Sequence, residues 1–546
     1  MRKVSLSVLS ILLVLTLVLS ACSDNNISTP KETNGPSPAQ VAKDYTLPIV
    51  KDGSVVLSFA AQDNIYAPKS YTQGLPVWNE IEKITGVKIK WDVTPGGKYK
   101  ETMNLRLAAG RDLPDIITLP DADPVKLSTT GLIIPLDDLI ANHAPNIRKY
   151  FKEFPERAAN MRLSDGKIYA LTADVSGASF TEPYGLLIRK DWLKKLGLSE
   201  PKTLDDWYTV LKAFKEKDPN GNGKADEIPY VPRDTIRDIT LFGSALGLHL
   251  FYSRGFYPNE KGIVEYQWMD TRTKDLIVWL NKLYKEGLID PQMLNNKTYG
   301  ELLSKISRDL VGATATFSDS TDAFIATQKE AGVTSDWGIT LPPSSANYKG
   351  FYEKNGPQST WWAITKDAKD PVTAIKWLDY IYASEEGNRF VTYGVEGLSY
   401  KIVDGKPVFT DFVMKNPEGL SAAEALRSIG AMPITPWNRT EKGPLSTQPM
   451  ALLSQNPRQY EEAQKVKPYL VNSFAYMAGL PTIKEGEEIA KLMTDIQTYQ
   501  DETIAKFILG QSPIDWDKFV STLKSLGIET VIKHRQSQYD RAKASQ

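Results

Sequence analysis

A single cysteine, Cys22, stands in a chain of 546 residues. No internal disulfide can form, so none holds the fold together. The length exceeds what one hydrophobic core supports and predicts two or three lobes. Hydrophobic residues make up 41% and charged residues 24% of the chain, as in ordinary globular proteins. The formal net charge of −1 argues against a nucleic-acid partner, which would call for a basic patch or stripe.

The position of Cys22 is as informative as its solitude. Met1-Arg2-Lys3 is a positive head, and Val8 to Leu19 is an apolar run broken only by Ser10 and Thr16. Leu19-Ser20-Ala21-Cys22 follows. A charged start, a short apolar core and small residues before a cut describe an export signal over residues 1–21. The run is shorter than the about 20 apolar residues of a membrane span. Leu-Ser-Ala-Cys resembles the bacterial lipoprotein box, in which the cysteine is acylated and becomes the new N-terminus. The simpler alternative is an ordinary signal with an incidental cysteine. Residues 22–46 read as a flexible tether, since Ser23 to Lys43 is mostly Ser, Asp, Asn, Thr, Pro, Gly and Lys. The body is then expected on the extracellular face of a cell membrane, lipid-anchored through Cys22, a layout that suits a Gram-positive cell.

Beyond the tether, strand and helix signals alternate. Val55 to Ala60 is a short apolar strand, and Leu75 to Thr85 has helical spacing stopped by Gly86. Val87 to Val93 alternates as a half-exposed strand, Tyr99 to Ala109 is helical and stopped by Gly110, and Asp115 to Leu119 is a buried strand. That order predicts an α/β fold with a right-handed parallel sheet. Tyr184 to Arg189 is another apolar strand, and Asp191 is placed to cap the helix after it.

The order of several segments resembles a known family. WNEIEKITGVKIKW (Trp78–Trp91), LAAGRDLPDII (Leu107–Ile117), GLIIPLDDLI (Gly131–Ile140) and DGKIYAL (Asp165–Leu171) are followed by GLLIRKDWLKKLGL (Gly185–Leu198) and LNKLYKEGLIDPQM (Leu280–Met293). Together they are similar to solute-binding proteins of ABC importers, the large lipoprotein members of extracellular solute-binding family 1. The resemblance implies two α/β lobes joined by hinge strands, a ligand cleft between them, and closure that signals to the permease. On that reading the first lobe takes residues 47–178 and about 355–400, and the second takes 179–354 and about 401–546. Chain crossings are expected at Ser176–Phe180 and within Gly338–Ile364.

Asp218-Pro219-Asn220-Gly221-Asn222-Gly223-Lys224-Ala225-Asp226-Glu227-Ile228-Pro229 carries the strongest local chemistry. Oxygen side chains at positions one, three and five with Gly at six match the start of an EF-hand loop. Asp218, Asn220, Asn222, the Lys224 carbonyl and Asp226 would supply hard oxygens. Position twelve is Pro229 rather than Glu, and the nearest acid is Glu227 at ten. The alternative is a plain Asn-Gly turn. The run resembles the structural calcium loop of alginate-oligosaccharide-binding members of the family, which implies structural Ca2+ held by Asp218, Asn220, Asn222, Lys224, Asp226 and Glu227.

Catalytic patterns are weak. The three histidines, His143, His249 and His534, show no zinc spacing, and no G-x-S-x-G or phosphate loop occurs. Among 12 Trp and 25 Tyr, Trp78, Trp207 and Trp279 lie at helical spacing and read as packing. Tyr66, Trp268, Trp361, Trp362 and Trp437 sit in or beside turns and are the candidate ligand contacts, since aromatic faces stack on sugar rings. The expected function is a monomeric, non-enzymatic, membrane-tethered protein that captures an oligosaccharide and delivers it to an ABC permease. A secreted glycan-degrading enzyme and a peptide-binding or sensory lipoprotein are the alternatives.

Overall fold

The computed structural model describes residues 44–63, 67–120, 124–173, 183–233, 235–295, 299–354, 360–420, 422–433, 438 and 457–544. Cys22, Tyr66, Trp437 and the expected crossing at Ser176–Phe180 lie outside the described residues. Among the described residues, no helix is long and apolar enough to cross a membrane.

The first core grows from the predicted alternation. Strand β1 (Val55–Gln62) leads to a helix at Pro76–Thr85, then β2 (Val87–Thr94), a helix at Gly96–Ala109 and β3 (Ile116–Pro120). The first helix starts with Pro76, whose fixed φ suits a first turn, and buries Val77, Trp78, Ile81 and Thr85 on one stripe. Burying Val77 or Ile81 contributes roughly 1.5–3 kcal/mol each. Gly86 ends it at φ 67, and its N–H returns to the Glu82 carbonyl at 2.8 Å. A Cβ there would also collide with the Val50 carbonyl oxygen, so glycine is required twice over. β1 pairs in parallel with β2 and with β3, as expected. A two-residue strand β4 (Leu171–Thr172) closes this stretch.

The second core begins with β5 (Tyr184–Arg189), every residue of which is buried. It continues through β6 (Ile228–Val231), the hairpin β7 (Phe256–Pro258) and β8 (Val264–Tyr266), β9 (Val311–Phe317), β10 (Trp337–Ile339) and β11 (Tyr352–Lys354). Its sheet runs in the order β10, β5, β9, β6, with only β6 and β9 parallel. The expected cap at Asp191 is not made. The helix is Lys190–Leu196, so Asp191 lies in its first turn, where it receives Arg189 through Nε at 2.8 Å and Nη2 at 2.6 Å. The reason is Arg189 itself: its side chain is buried, needs counter-charge, and takes Asp309 as well while lying over the Trp192 ring at 4.5 Å.

The chain then returns. β12 (Thr360–Ile364) enters the first sheet antiparallel to both β3 and β4, giving the order β2, β1, β3, β12, β4. The first sheet is therefore mixed rather than wholly parallel, because its fourth member arrives from the other core. The chain passes from the second core to the first between β11 and β12. The first core continues beyond residue 400. The hairpin β13 (Tyr400–Val403) and β14 (Lys406–Phe409) packs Tyr400 and Phe409 on Tyr393, and Leu426, Ile429 and Ala431 also join the first core. The second core resumes at Val466, followed by β15 (Leu470–Asn472), which pairs in parallel with β11. Helices Ile483–Ile508, Trp516–Ser525 and Ile528–Ala544 complete it. The two cores touch where the Asn160 amide donates to the Tyr476 carbonyl at 3.4 Å and Arg157 lies over the Tyr476 ring at 5.1 Å.

Candidate functional site

A cavity of about 750 Å³ lies where the two cores face each other. The second core supplies most of its wall. After β6 the chain turns through short helical segments at Thr235–Ile239 and Thr240–Leu246, placing Ile236, Arg237 and Thr240 at the cavity. The turn Leu250–Phe256 and Trp268, beyond β8, form a second side. The helix Ile483–Ile508 presents Ile489, Met493, Gln497 and Gln500, spaced by three and four residues along one face. That stripe turns from apolar to amide along its length, a signal legible in the sequence that was not connected to a site. The helix Ile528–Ala544 adds Arg535 and Gln538, and the first core contributes Asn160 and Trp361.

The turn at Leu250–Phe256 is held from behind by Glu353 of β11. One carboxylate oxygen accepts the N–H groups of Tyr252 and Ser253 at 2.6 and 3.1 Å. The other receives the Ser253 hydroxyl and lies 3.1 Å from His249 Nδ1. His249 is itself stacked between Tyr257 and Phe351, with ring centroids at 3.3 and 4.1 Å. Four contacts on one buried carboxylate fix the turn so firmly that Arg254, at its tip, is held at φ 51. Nothing in the local sequence marks Glu353, because its partners lie about a hundred residues upstream.

The aromatic candidates separate. Trp361 and Trp268 line the cavity. Trp362 does not: it is 2% exposed and sits in the first core, edge-on to Phe59 at 5.8 Å. Adjacent residues of a strand point to opposite faces, so β12 can offer the cavity only one of the pair. Trp78 and Trp207 are buried in the two cores, and Trp279 packs against the second.

The Asp218–Glu227 loop joins the helix Leu204–Glu216 to β6, at the opposite end of that strand from the cavity. Asp218 Oδ1 accepts the N–H of Gly221 at 2.9 Å and of Asn222 at 3.1 Å, and Oδ2 accepts that of Gly223 at 3.0 Å. Gly221 and Gly223 both take φ 76, which lets the chain coil around the carboxylate. Asn222 Oδ1 accepts the Lys224 N–H at 2.7 Å, and the amides of Asn220 and Asn222 donate to Asp226 at 3.3 and 3.1 Å. Both carboxylate oxygens of Glu227 are buried without a hydrogen-bond partner among the described residues. Burial raises its pKa, and the charges of Asp218 and Asp226 raise it further. The main-chain N–H groups of Asn220 and Glu227 lie close enough to oppose that rise, yet none has hydrogen-bond geometry to the carboxylate. A buried carboxylate with no hydrogen bond among the described residues, near the charges of Asp218 and Asp226, has the chemistry that a hard cation would satisfy. Among the described residues, no group of three or more His, Cys, Asp or Glu side chains is already placed to hold a metal ion.

Comparison with known proteins places the chain. Residues 74–388 match the model of the bacterial extracellular solute-binding protein family, more than half of the sequence, and the chain belongs to that family. The fructooligosaccharide ABC transporter substrate-binding protein FusA of Streptococcus pneumoniae serotype 4 (strain ATCC BAA-334 / TIGR4) is 27% identical over 97% of this chain and 96% of its own length. The crystal structure of the alginate-binding protein AlgQ2 without calcium ion superposes with a TM-score of 0.70 at 27% identity, covering 90% of this chain and 99% of that one. A FusA EF-hand mutant in complex with fructo-nystose has the same fold, with a TM-score of 0.71 at 23% identity over 90% of this chain and 100% of that one. The structural neighbours are two-lobed solute-binding proteins.

Proposed function

We propose that this protein captures an oligosaccharide outside the cell and delivers it to the permease of an ABC importer. The observation that carries the reading is the cavity between the two cores, about 750 Å³ and lined by Trp268 and Trp361 together with side-chain amides and guanidinium groups. Apolar ring faces against indoles, with hydroxyls met by Asn and Gln, is the division of labour a sugar chain requires. The names of the relatives, fructooligosaccharide-binding for FusA and alginate-binding for AlgQ2, support the same class of ligand. The two cores act as lobes, with the first running to about Ala431 rather than 400, and a ligand touching both favours their closed arrangement. The protein is a monomer without catalytic activity, tethered to the extracellular face of the membrane through acylated Cys22. Tyr66 and Trp437 remain proposed contacts beside Trp268 and Trp361.

Calcium is a structural component of this reading. Asp218, Asn220, Asn222, the Lys224 carbonyl, Asp226 and Glu227 would hold it, and Glu227 at position ten replaces the acid that Pro229 displaces from position twelve. The ion supplies charge compensation for Glu227. The loop is also tied to the second sheet, since the Asn220 amide donates to the Asp309 carbonyl at 3.2 Å.

A thermal-shift screen of oligosaccharides against peptides tests the function. A ligand that binds only the folded state raises apparent stability, by about 2.7 kcal/mol at a hundredfold excess over its Kd. Oligosaccharides are expected to raise the melting temperature and to be recovered intact. A response to peptides alone overturns the reading, and new reducing ends from the sugars would make the protein a hydrolase.

A further inference from the structure

We infer that the oligosaccharide taken by this cavity is acidic, carrying a carboxylate on the sugar ring that Arg254 and Arg535 receive. The inference rests on the oligosaccharide-binding reading above and adds the charge of the ligand. Arg237, Arg254 and Arg535 all line the cavity, and Asp501 is the one carboxylate among the described lining residues.

Among the described residues, the side chains in direct contact with the Arg535 guanidinium are neutral. It lies over the Phe256 ring at 5.5 Å, Nη1 donates to Gln538 at 2.8 Å, and Nε is buried with no partner. Glu485 is the acid that acts on it from a distance, but that carboxylate is occupied: Arg541 grips both oxygens at 2.8 and 2.5 Å, and the Thr482 N–H adds a third bond at 2.8 Å. Burial accordingly pulls the Arg535 pKa down to about 10, still charged at neutral pH. A desolvated guanidinium with amide and aromatic company alone is an incomplete ion pair, and an anion entering the cavity completes it.

Arg254 makes the same offer from the facing turn. It is exposed at the tip of the segment that Glu353 clamps, at φ 51, and its side chain has no hydrogen bond or ion pair among the described residues. Holding a non-glycine residue in that backbone region is unfavourable, which is how a fold fixes a side chain that must point one way. Asp501 feels the Arg254 charge, yet burial still raises its pKa, so Arg254 does not neutralise it in a direct pair. The planar fork of arginine matches a carboxylate with two parallel hydrogen bonds, a geometry hydroxyls cannot return.

Isothermal titration of the full mature chain tests this with matched pairs. Trigalacturonate and its carboxyl-reduced galactotriose form one pair, trimannuronate and its carboxyl-reduced mannotriose another, with fructotriose and maltotriose as further neutral probes. The acidic member of at least one pair is expected to bind at least tenfold more tightly, with affinity falling as salt rises. Arg254→Gln and Arg535→Gln should each reduce that acid-to-neutral ratio at least tenfold, the ratio and not the absolute affinity being the readout. Circular dichroism and a cooperative melting transition show that each variant is folded. Neutral sugars binding as tightly as acidic ones, or a ratio unchanged in both variants, overturns the acidic ligand and leaves the oligosaccharide reading standing. No binding of any sugar, with peptides binding instead, overturns both.

Discussion

Glu227 concentrates the case for calcium into one side chain. In the metal-free protein its folded pKa is raised above the ordinary 4.5. The folded state therefore holds that proton more tightly than the unfolded chain. The sign follows: its contribution to stability is greatest below pH 4.5 and is lost as pH rises through the raised folded value. A bound cation reverses the preference, because it selects the ionised carboxylate. In chelator, Glu227→Gln should melt higher than wild type near neutral pH. In excess calcium the order should invert, since wild type gains a few kcal/mol from binding at saturation and the variant gains less. Asp218→Ala should abolish the calcium response. Equal melting curves for wild type with chelator and with calcium would leave the loop as a hydrogen-bonded turn. The loop was legible in the sequence because its ligands lie within ten residues of one another. Arg254, Arg535 and Glu353 were not, because no spacing rule joins residues about a hundred or more positions apart in the chain.

At the scale of the element, β12 brings one of two consecutive buried tryptophans, Trp361, to the cavity wall and keeps the other, Trp362, away from it. Trp362 faces Phe59, with Trp377 packed on the same ring at 6.0 Å, so Trp362→Ala leaves a large core cavity. Denaturant unfolding should show a loss of about 3–5 kcal/mol. Trp361→Ala should weaken oligosaccharide binding by roughly 1–3 kcal/mol, and because Trp361 is 8% exposed and also belongs to the first core, unfolding should register its loss as well. If Trp361→Ala binds normally, that residue is wall and not contact. Composition alone could not split the pair, since both are tryptophans beside a turn. The pleat splits them, but only once the strand and its facing side are known. The helices stopped by Gly86 and Gly110 and the parallel pairing of β1 with β2 and β3 were legible for the opposite reason, being set by patterns within about twenty residues. The antiparallel entry of β12 and the packing of Tyr400 to Ala431 on the first core depend on a partner hundreds of residues away in the chain or on a surface formed late.

At the scale of the molecule, the extreme N-terminus and the body answer to different rules. The acylation proposal makes a simple prediction: wild type labels with a fatty acid and partitions with membranes, whereas Cys22→Ala does neither. Equal labelling of both would remove Cys22 as the site. The body's own asymmetry reaches further. Apart from Asn160 and Trp361, the described cavity wall comes from residues 236–268 and 474–538 of the second core. A sugar arriving from solution thus finds nearly a whole landing surface on one side before the other arrives. Capture and retention are then separate moments: the first runs at the pace of diffusion to an open face, the second lasts as long as two side chains stay shut. A permease that prised Asn160 and Trp361 away would start the unloading without having to undo the rest of the grip.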